Sequence, residues 1–159
     1  MEQKHIHIEL TSYDSVNDLN AEEQRLAEAA ISAAKNAYAP YSKFKVGAAV
    51  LLVNGKIITG SNQENAAYPS GLCAERVALF WAGSQYPDIP VKTMLIVSLK
   101  DGELVKRLVA PCGACRQVIN ETSHRYKKNF ALLLVGKETI LKIDNANDLL
   151  PLSFGPDDL

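Results

Sequence analysis

Cysteine is scarce in this chain, with three among 159 residues. An odd number excludes a complete set of disulfides, and a Cys-x-x-Cys pair in a reducing compartment indicates metal binding or redox chemistry. The chain also lacks the run of roughly 20 apolar residues that a membrane helix needs, and Met1 to His7 lacks the apolar region of a secretory signal. We therefore expect a cytoplasmic protein with no membrane partner.

An excess of charge of one sign is also missing: 17 basic residues face 18 acidic ones, for a formal net charge of -1. A protein that grips long nucleic acid carries a basic surface, so we expect no nucleic acid polymer as partner and a small or neutral ligand instead. No repeat or Gly/Ser-rich linker interrupts the chain between Ala21 and Pro151. A hydrophobic content of 47% then fits one globular domain.

The first twenty residues read as an extension of a domain that spans residues 21–159. Within the extension, His5 to Leu10 alternates polar and apolar residues at the period of a half-buried strand and predicts an added edge strand. The two histidines, His5 and His7, have no third ligand nearby, and we assign them no metal site.

From Ala21 onward, helical and strand patterns alternate. Asn20 can cap a helix that reaches about Tyr38, and Asn54-Gly55 is a hairpin signal between two strands. The predicted strands are Lys45 to Val53, Lys56 to about Gly60, Val91 to Ser98, Phe130 to Val135 and Thr139 to Ile143. The remaining predicted helices are Leu72 to about Ala82, Pro111 to about Thr122 and Asn145 to Leu150. Five strands with interleaved helices predict the α/β class: a three-layer α/β/α sandwich around a five-stranded mixed sheet.

Two motifs carry the candidate chemistry, Cys73-Ala74-Glu75 and Pro111-Cys112-Gly113-Ala114-Cys115. Both sit at predicted helix starts, where free amides and the helix dipole favour the thiolate form that zinc requires. Three sulfur ligands leave one position of a tetrahedral zinc ion open, which is the catalytic form of such a site. Our hypothesis is that Glu75 moves the proton of an activated water at that position. Its spacing from Cys73 alone does not place it there, because residues at i and i+2 do not share a helix face.

A zinc ion with three thiolates carries a net formal charge of -1, so we expect a nearby cation to offset it. Arg76 and Arg116 each follow a motif directly and could donate hydrogen bonds to sulfur; for both, the alternative is a surface salt bridge. We favour the sulfur contact for Arg76 and leave Arg116 open. A further alternative is a structural zinc site, with His124 as a fourth ligand, or a redox dithiol, but either would leave Glu75 without a role.

The chain resembles the small homotetrameric, zinc-dependent cytidine deaminases of pyrimidine salvage in four segments. In chain order these are YAPYSKFKVGAAV, NQENAAYPSG, CAE and PCGACRQV. The resemblance covers Ala21 to Leu159. Zinc deaminases include a three-cysteine variant with a glutamate that is not a metal ligand. Cysteine rather than histidine at position 73 is typical of the enzymes that act on free nucleosides.

The resemblance implies that Cys73, Cys112 and Cys115 bind one zinc ion per subunit. Glu75 would take the proton from zinc-bound water and pass it to N3 of cytosine and then to the departing amine. Cytidine and 2′-deoxycytidine would both be substrates. A deaminase of another cytosine nucleoside, the antibiotic blasticidin S, is the alternative that shares this machinery.

The resemblance also implies a set of substrate contacts. Asn62 and Glu64 would hold the ribose 3′-hydroxyl, the backbone N–H of Ala74 would meet the pyrimidine O2, and Phe44 would stack on the base, unless Phe44 is a core residue. On composition alone, the loop that contains Asn62 and Glu64 favours a solvated turn, whereas its position between a strand and the metal-bearing helix favours a ligand pocket.

Three further positions are implied to act between subunits. Ala66 and Tyr68 would reach the 5′-hydroxyl of a substrate in a neighbouring subunit, and Phe154 would close an adjacent site, so that a monomer has no complete pocket. Gln63 departs from the aliphatic residue of many relatives, but it lies between the two proposed sugar contacts and need not face the ligand.

Overall fold

The computed structural model describes all 159 residues. The strands are β1 (Thr11–Tyr13), β2 (Lys45–Leu52), β3 (Ile57–Ser61), β4 (Val91–Lys100), β5 (Glu103–Leu104), β6 (Ala131–Val135) and β7 (Ile140–Ile143). The helices are α1 (Ala21–Lys35), α2 (Ala74–Gln85) and α3 (Gly113–Tyr126), with short 3-10 turns at Val16–Asp18, Tyr68–Ser70, Ala146–Leu149 and Pro156–Asp158. No helix is both long enough and apolar enough to cross a bilayer.

The strands form one mixed sheet in the order β1-β7-β6-β4-β2-β3, with β5 paired to one end of β4. Only β4 and β6 run parallel, and α3 lies in the connection between them. The mixed α/β class is confirmed, but the predicted count of five strands is wrong, because the sheet has seven. The two additional strands are the two-residue β5, too short for a pattern to reveal, and β1.

The edge strand of the N-terminal extension starts at Thr11, six residues after the start of the predicted strand at His5. Residues 5 to 10 have no regular secondary structure, whereas Thr11–Tyr13 pairs antiparallel with β7. The register places Thr11 opposite Lys142, so residues before Leu10 would lie opposite residues beyond the end of β7. The alternating segment therefore lacks a partner strand, and without one an isolated extended segment is not stable.

Alternating side chains of the central strands divide the core into two layers. On one face, Ala49 and Leu51 of β2 pack in a cluster with the buried face of α1. On the other face, Ala48 and Val50 belong to a cluster that includes buried residues of α2 and α3. This arrangement confirms the α/β/α layering, since a strand buried on both faces needs a helix on each.

The direction of three neighbouring strands determines where helices α2 and α3 begin. Strands β3 and β4 both pair antiparallel with β2, so they run in the same direction on either side of it. Their carboxyl ends therefore lie at the same end of the sheet. The chain passes from β3 to α2 and from β4 and β5 to α3, and both helices start at this end.

Two helix ends differ from the prediction for local reasons. Helix α1 stops at Lys35 rather than near Tyr38, because the backbone of Tyr38 pairs instead with Asn62 and Glu64, at N···O distances of 3.1 and 2.8 Å. Helix α3 continues to Tyr126 rather than Thr122 and ends where Lys127 adopts a left-handed conformation, with φ at 49°. The predicted C-terminal helix is only one 3-10 turn.

Candidate active site

The three cysteines meet where α2 and α3 begin. Cys73 is the N-cap of α2, Cys112 is the N-cap of α3, and Cys115 lies in the first turn of α3. The Sγ atoms of Cys73 and Cys112 are 3.8 Å apart, those of Cys112 and Cys115 are 3.5 Å apart, and all three lie within 4.8 Å of one another. Zinc–sulfur bonds of about 2.3 Å in a tetrahedron require sulfur atoms about 3.8 Å apart. The cluster therefore fits one zinc ion per chain.

The thiols differ in their electrostatic environment. Hydrogen bonding from Cys115, together with that from Arg76 and Cys112, lowers the pKa of Cys73 to about 5 despite the opposing effect of burial. The same hydrogen bond to Cys73, reinforced by burial, raises the pKa of the Cys115 thiol. Three thiolates this close together repel one another, so full ionisation of the cluster requires a cation such as zinc.

Glu75 lies in the first turn of α2 and is 5% exposed, yet it lines the cavity beside the thiols. Burial, with a contribution from the negative charge of Cys73, raises the pKa of its carboxyl group. A carboxyl group with a raised pKa can accept and release a proton nearer to neutral pH than an exposed one. Its position and its pKa therefore suit a proton carrier.

The two arginines contact different groups. Nη2 of Arg76 lies 3.8 Å from Sγ of Cys73, which is the sulfur contact predicted from the sequence. Arg116 donates instead to the backbone carbonyls of Pro111 and Leu149, both at 2.9 Å, and so ties the C-terminal segment to the start of α3. The hydrogen bonds of Arg116 therefore go to carbonyl oxygens, and none goes to a thiol.

His124 does not complete a closed metal site. It lies in the last turn of α3, nine residues beyond Cys115, which corresponds to about 13 Å along a helix. The group of side chains that could hold a metal contains the three cysteines and no histidine. The chain therefore supplies three of the four ligands of a tetrahedral zinc ion, the number of protein ligands found in catalytic zinc sites.

A cavity of about 660 Å³ opens beside the thiols. Its lining includes Cys73, Glu75 and Arg76 together with Asn62 and Glu64. The volume suits a small ligand. The residues that line it and that were predicted from the sequence are Asn62, Glu64, Tyr68, Cys73, Ala74, Glu75, Arg76 and Cys112.

The backbone of Asn62 to Glu64 is held in an extended form between two other segments. Gln63 forms a reciprocal pair of backbone hydrogen bonds with Leu72, at 2.9 Å each, while Tyr38 pairs on the opposite side. Because side chains alternate along extended backbone, Asn62 and Glu64 point to the same side. The side chain of Gln63 instead donates to Oγ of Ser61 at 3.2 Å.

The remaining predicted contacts differ in their relation to the cavity. Ala74 lines it, and as the first residue of α2 its N–H has no partner within the helix, so it is free to donate to a ligand. Phe44 is partly buried and is not among the lining residues, and neither are Ala66 and Phe154. Their roles stay predictions.

Tyr41 and Ser42 are among the lining residues that were not predicted as site residues from the sequence. Both donate hydrogen bonds to the carboxylate of Glu64, which lies more than 20 residues away along the chain. Both lie in the segment YAPYSKFKVGAAV that carries part of the family resemblance, but nothing in that segment indicates a contact with Glu64. Only the fold, which brings the turn before β2 against the loop after β3, reveals the contact.

Comparison with known proteins agrees with this geometry. Residues 20–130 match the family model for the cytidine and deoxycytidylate deaminase zinc-binding region. The cytidine deaminase of Halalkalibacterium halodurans is 40% identical over 136 residues, which cover 86% of this chain and 96% of the relative. The cytidine deaminase of Mycobacterium tuberculosis H37Rv is 36% identical over 137 residues, covering 82% of this chain and 87% of the relative.

The fold leads to the same group. The crystal structure of cytidine deaminase from Burkholderia pseudomallei superposes with a TM-score of 0.70 at 39% identity, covering 82% of this chain and 98% of that one. Together with the three-cysteine cluster, these matches assign zinc as the cofactor and deamination as the activity. The chain therefore belongs to the family of zinc-dependent cytidine deaminases.

Proposed function

We propose that this chain hydrolyses cytidine and 2′-deoxycytidine to uridine and 2′-deoxyuridine, with release of ammonia, in pyrimidine salvage. One observation carries the proposal: the three thiols lie at zinc-binding separation, and two of them, Cys73 and Cys112, line a cavity together with the buried carboxyl group of Glu75. The three thiols, which need a reducing compartment to stay free, favour a cytoplasmic enzyme.

Cys73, Cys112 and Cys115 would hold the zinc ion, which when bound lowers the pKa of water from about 15.7 toward about 7. Glu75 would accept a proton from the attacking water and deliver it to N3 of the cytosine ring. Once the water oxygen is bonded to C4, Glu75 would take the remaining proton of the added hydroxyl group and pass it to the exocyclic nitrogen. The bond from C4 to that nitrogen then breaks, the C4 carbonyl forms, and the nitrogen leaves as ammonia. The raised pKa of the Glu75 carboxyl group supports this alternation between acid and base.

Substrate orientation would depend on groups at both ends of the cavity. The free N–H of Ala74 would donate to O2 of the pyrimidine, beside the thiols. Asn62 and Glu64 would bind the 3′-hydroxyl and leave the 2′ position without a contact, which is the reason for expecting both ribose and deoxyribose nucleosides. Phe44 would stack on the base if its ring turns toward the cavity when substrate binds.

The assembly would be a homotetramer with shared sites. Tyr68 is 78% exposed, although it also lines the cavity of its own chain, and Phe154 is 60% exposed; such exposure suits aromatic residues that contact a neighbouring subunit. Ala66 is also exposed beside Tyr68. An active monomer of 17.4 kDa in a sedimentation experiment would contradict the roles of all three residues between subunits.

The main experiment compares wild-type protein with Glu75→Ala and Glu75→Gln. Zinc content is measured by metal analysis, and activity by the loss of cytosine absorbance with cytidine and with 2′-deoxycytidine. We expect both variants to keep one zinc ion per chain and to lose a factor of about 10² to 10⁴ in kcat/KM, the range typical of general acid–base catalysis.

Glu28→Gln is the matched control, because Glu28 is an exposed glutamate on α1, on the other side of the sheet. It should retain wild-type activity. Near-full activity in zinc-loaded Glu75→Gln would show that another group moves the protons, and the proposed mechanism would fall.

A further inference from the structure

The carboxylate of Glu64 is surrounded by donors from the turn that precedes β2. Its Oε2 accepts the backbone N–H groups of Tyr41 and Ser42, at 2.9 and 3.3 Å, and its Oε1 accepts the hydroxyl of Ser42. The Ser42 hydroxyl in turn accepts the N–H of Phe44 at 3.0 Å, which fixes the direction in which it donates. These contacts, with the Ser42 hydrogen bond as the largest contribution, hold the pKa of Glu64 below its usual value.

The turn itself adopts a conformation that needs support. Lys43 lies in the left-handed region, with φ at 57°, where residues other than glycine are uncommon. Such backbone persists where surrounding contacts determine it. Before Lys43 in the chain, the hydrogen bonds of Tyr41 and Ser42 to Glu64 hold the backbone. After Lys43, the side-chain amide of Asn62 donates to the carbonyl of Phe44 at 3.0 Å.

The count of acceptor sites shows what remains for a ligand. An ionised carboxylate has about four lone-pair sites, two on each oxygen. Both sites of Oε2 are taken by backbone N–H groups, and one site of Oε1 is taken by Ser42. The remaining site is on Oε1, the oxygen whose other site the Ser42 hydroxyl occupies.

We propose that Ser42 is a positioning residue: its hydroxyl fixes Oε1 of Glu64 so that the free acceptor site faces the cavity, and thereby sets the selectivity for nucleosides with a free 3′-hydroxyl. The inference rests on the proposed function, in which Glu64 contacts that hydroxyl. Ser42 itself lines the cavity but acts through Glu64.

Two substrates that differ only at the 3′ position provide the test, 2′-deoxycytidine and 2′,3′-dideoxycytidine. The measured quantity is the ratio of their kcat/KM values in zinc-loaded protein. For Ser42→Ala we expect the ratio to fall about tenfold, with the loss in kcat/KM for 2′-deoxycytidine and a change of less than about twofold for the dideoxy compound, since one oriented hydrogen bond to a charged group is lost. Ser42→Thr keeps a hydroxyl group and should therefore keep the wild-type ratio.

A double variant and a control separate the positioning role of Ser42 from general stabilisation of the turn. Lys43→Gly in the Ser42→Ala background removes the penalty of the left-handed conformation, so it should recover thermal stability but leave the ratio low. Recovery of the ratio in that double variant would mean that Ser42 only stabilises the turn, and would overturn the proposal. Ser32→Ala, an exposed serine in α1, is the matched control and should keep the wild-type ratio.

The measurements distinguish a failure of the sugar contact of Glu64 from a failure of the positioning role of Ser42. Equal kcat/KM values for the two substrates in the wild-type enzyme would refute both the sugar contact of Glu64 and the role of Ser42. A wild-type preference for the 3′-hydroxyl that disappears in Glu64→Gln but persists in Ser42→Ala would leave the proposed function standing and refute the role of Ser42 alone.

Discussion

Replacing Gly60 with alanine would press a methyl group into the first turns of α2. A Cβ atom at Gly60 would lie 2.5 Å from the backbone N of Ala78 and 2.6 Å from the backbone O of Ala74. Ordinary contact begins at 3.4 Å, so the helix and the strand would have to separate by about 0.9 Å. Both contacted atoms belong to the backbone, which cannot rotate away as a flexible side chain can.

The displaced turns are those that carry the site. Cys73 and Glu75 flank Ala74, whereas Cys112 belongs to α3 and would stay in place. Metal sites tolerate changes of about 0.2 Å in ligand distance, so a shift of about 0.9 Å should weaken zinc binding clearly. A misplacement near 1 Å also costs about 10² in rate, and overpacking costs about 1 to 3 kcal/mol of stability.

Gly47→Ala provides a control with a clash of the same kind on the other face of the sheet. Its Cβ would lie 2.1 Å from O of Ala30 and 2.6 Å from N of Ala34, both in α1, which carries no site residue. We expect both variants to lose stability in urea titrations, but only Gly60→Ala to lose zinc in competition with a chelator. Equal zinc affinity in the two variants would refute the argument that packing at Gly60 positions the metal site.

Three further predictions follow from single contacts. Arg76→Ala should raise the dissociation constant for zinc about 10- to 100-fold in chelator competition, whereas Arg116→Ala, which loses only carbonyl contacts, should change it far less; equal changes would contradict the assignment. Asn120→Ala removes a buried amide bonded to the C-terminal tail, and should cost about 1 to 3 kcal/mol and make the tail more sensitive to carboxypeptidase than in wild type. Deletion of residues 1–10 should change the free energy of unfolding by no more than about 0.5 kcal/mol from the wild-type value. Deletion of residues 1–19 also removes β1 and the buried Leu19, and should lower it by at least about 2 kcal/mol. Similar values for the two deletions would place the stabilising contacts elsewhere.

The positions of the metal ligands could be predicted from the sequence because the signals that start a helix are local. Pro111 is a helix-start residue immediately before Cys112, and the structure makes Cys112 the N-cap of α3. The Asn54-Gly55 hairpin is equally local, and it joins β2 and β3 as predicted. Each of these features depends on a few neighbouring residues.

The features that were missed depend on partners far away in the chain. The alternation of His5 to Leu10 is a genuine strand pattern, but a strand needs a neighbour, and β7 ends too early to provide one. Likewise, nothing near Ser42 indicates that its hydroxyl meets Glu64, because the two residues come together only through the pairing of β2 with β3. Periodicity predicts which residues form a strand and leaves the partner undetermined.

Strand register links the fold to the metal site. Cys73 and Cys112 are 39 positions apart in the chain, yet their sulfur atoms lie 3.8 Å apart. They approach because β3 and β4, which flank β2, end at the same edge of the sheet. A slip of one residue would move a strand by about 3.3 Å and turn its buried side chains to the other face, which the apolar pattern already opposes. A slip of two residues would preserve the faces but shift the strand by about 6.6 Å, too far for one zinc ion to bind both thiols. Zinc therefore discriminates against the smallest register error that the hydrophobic pattern tolerates, and metal-loaded protein should hold the native pairing more strictly than metal-free protein.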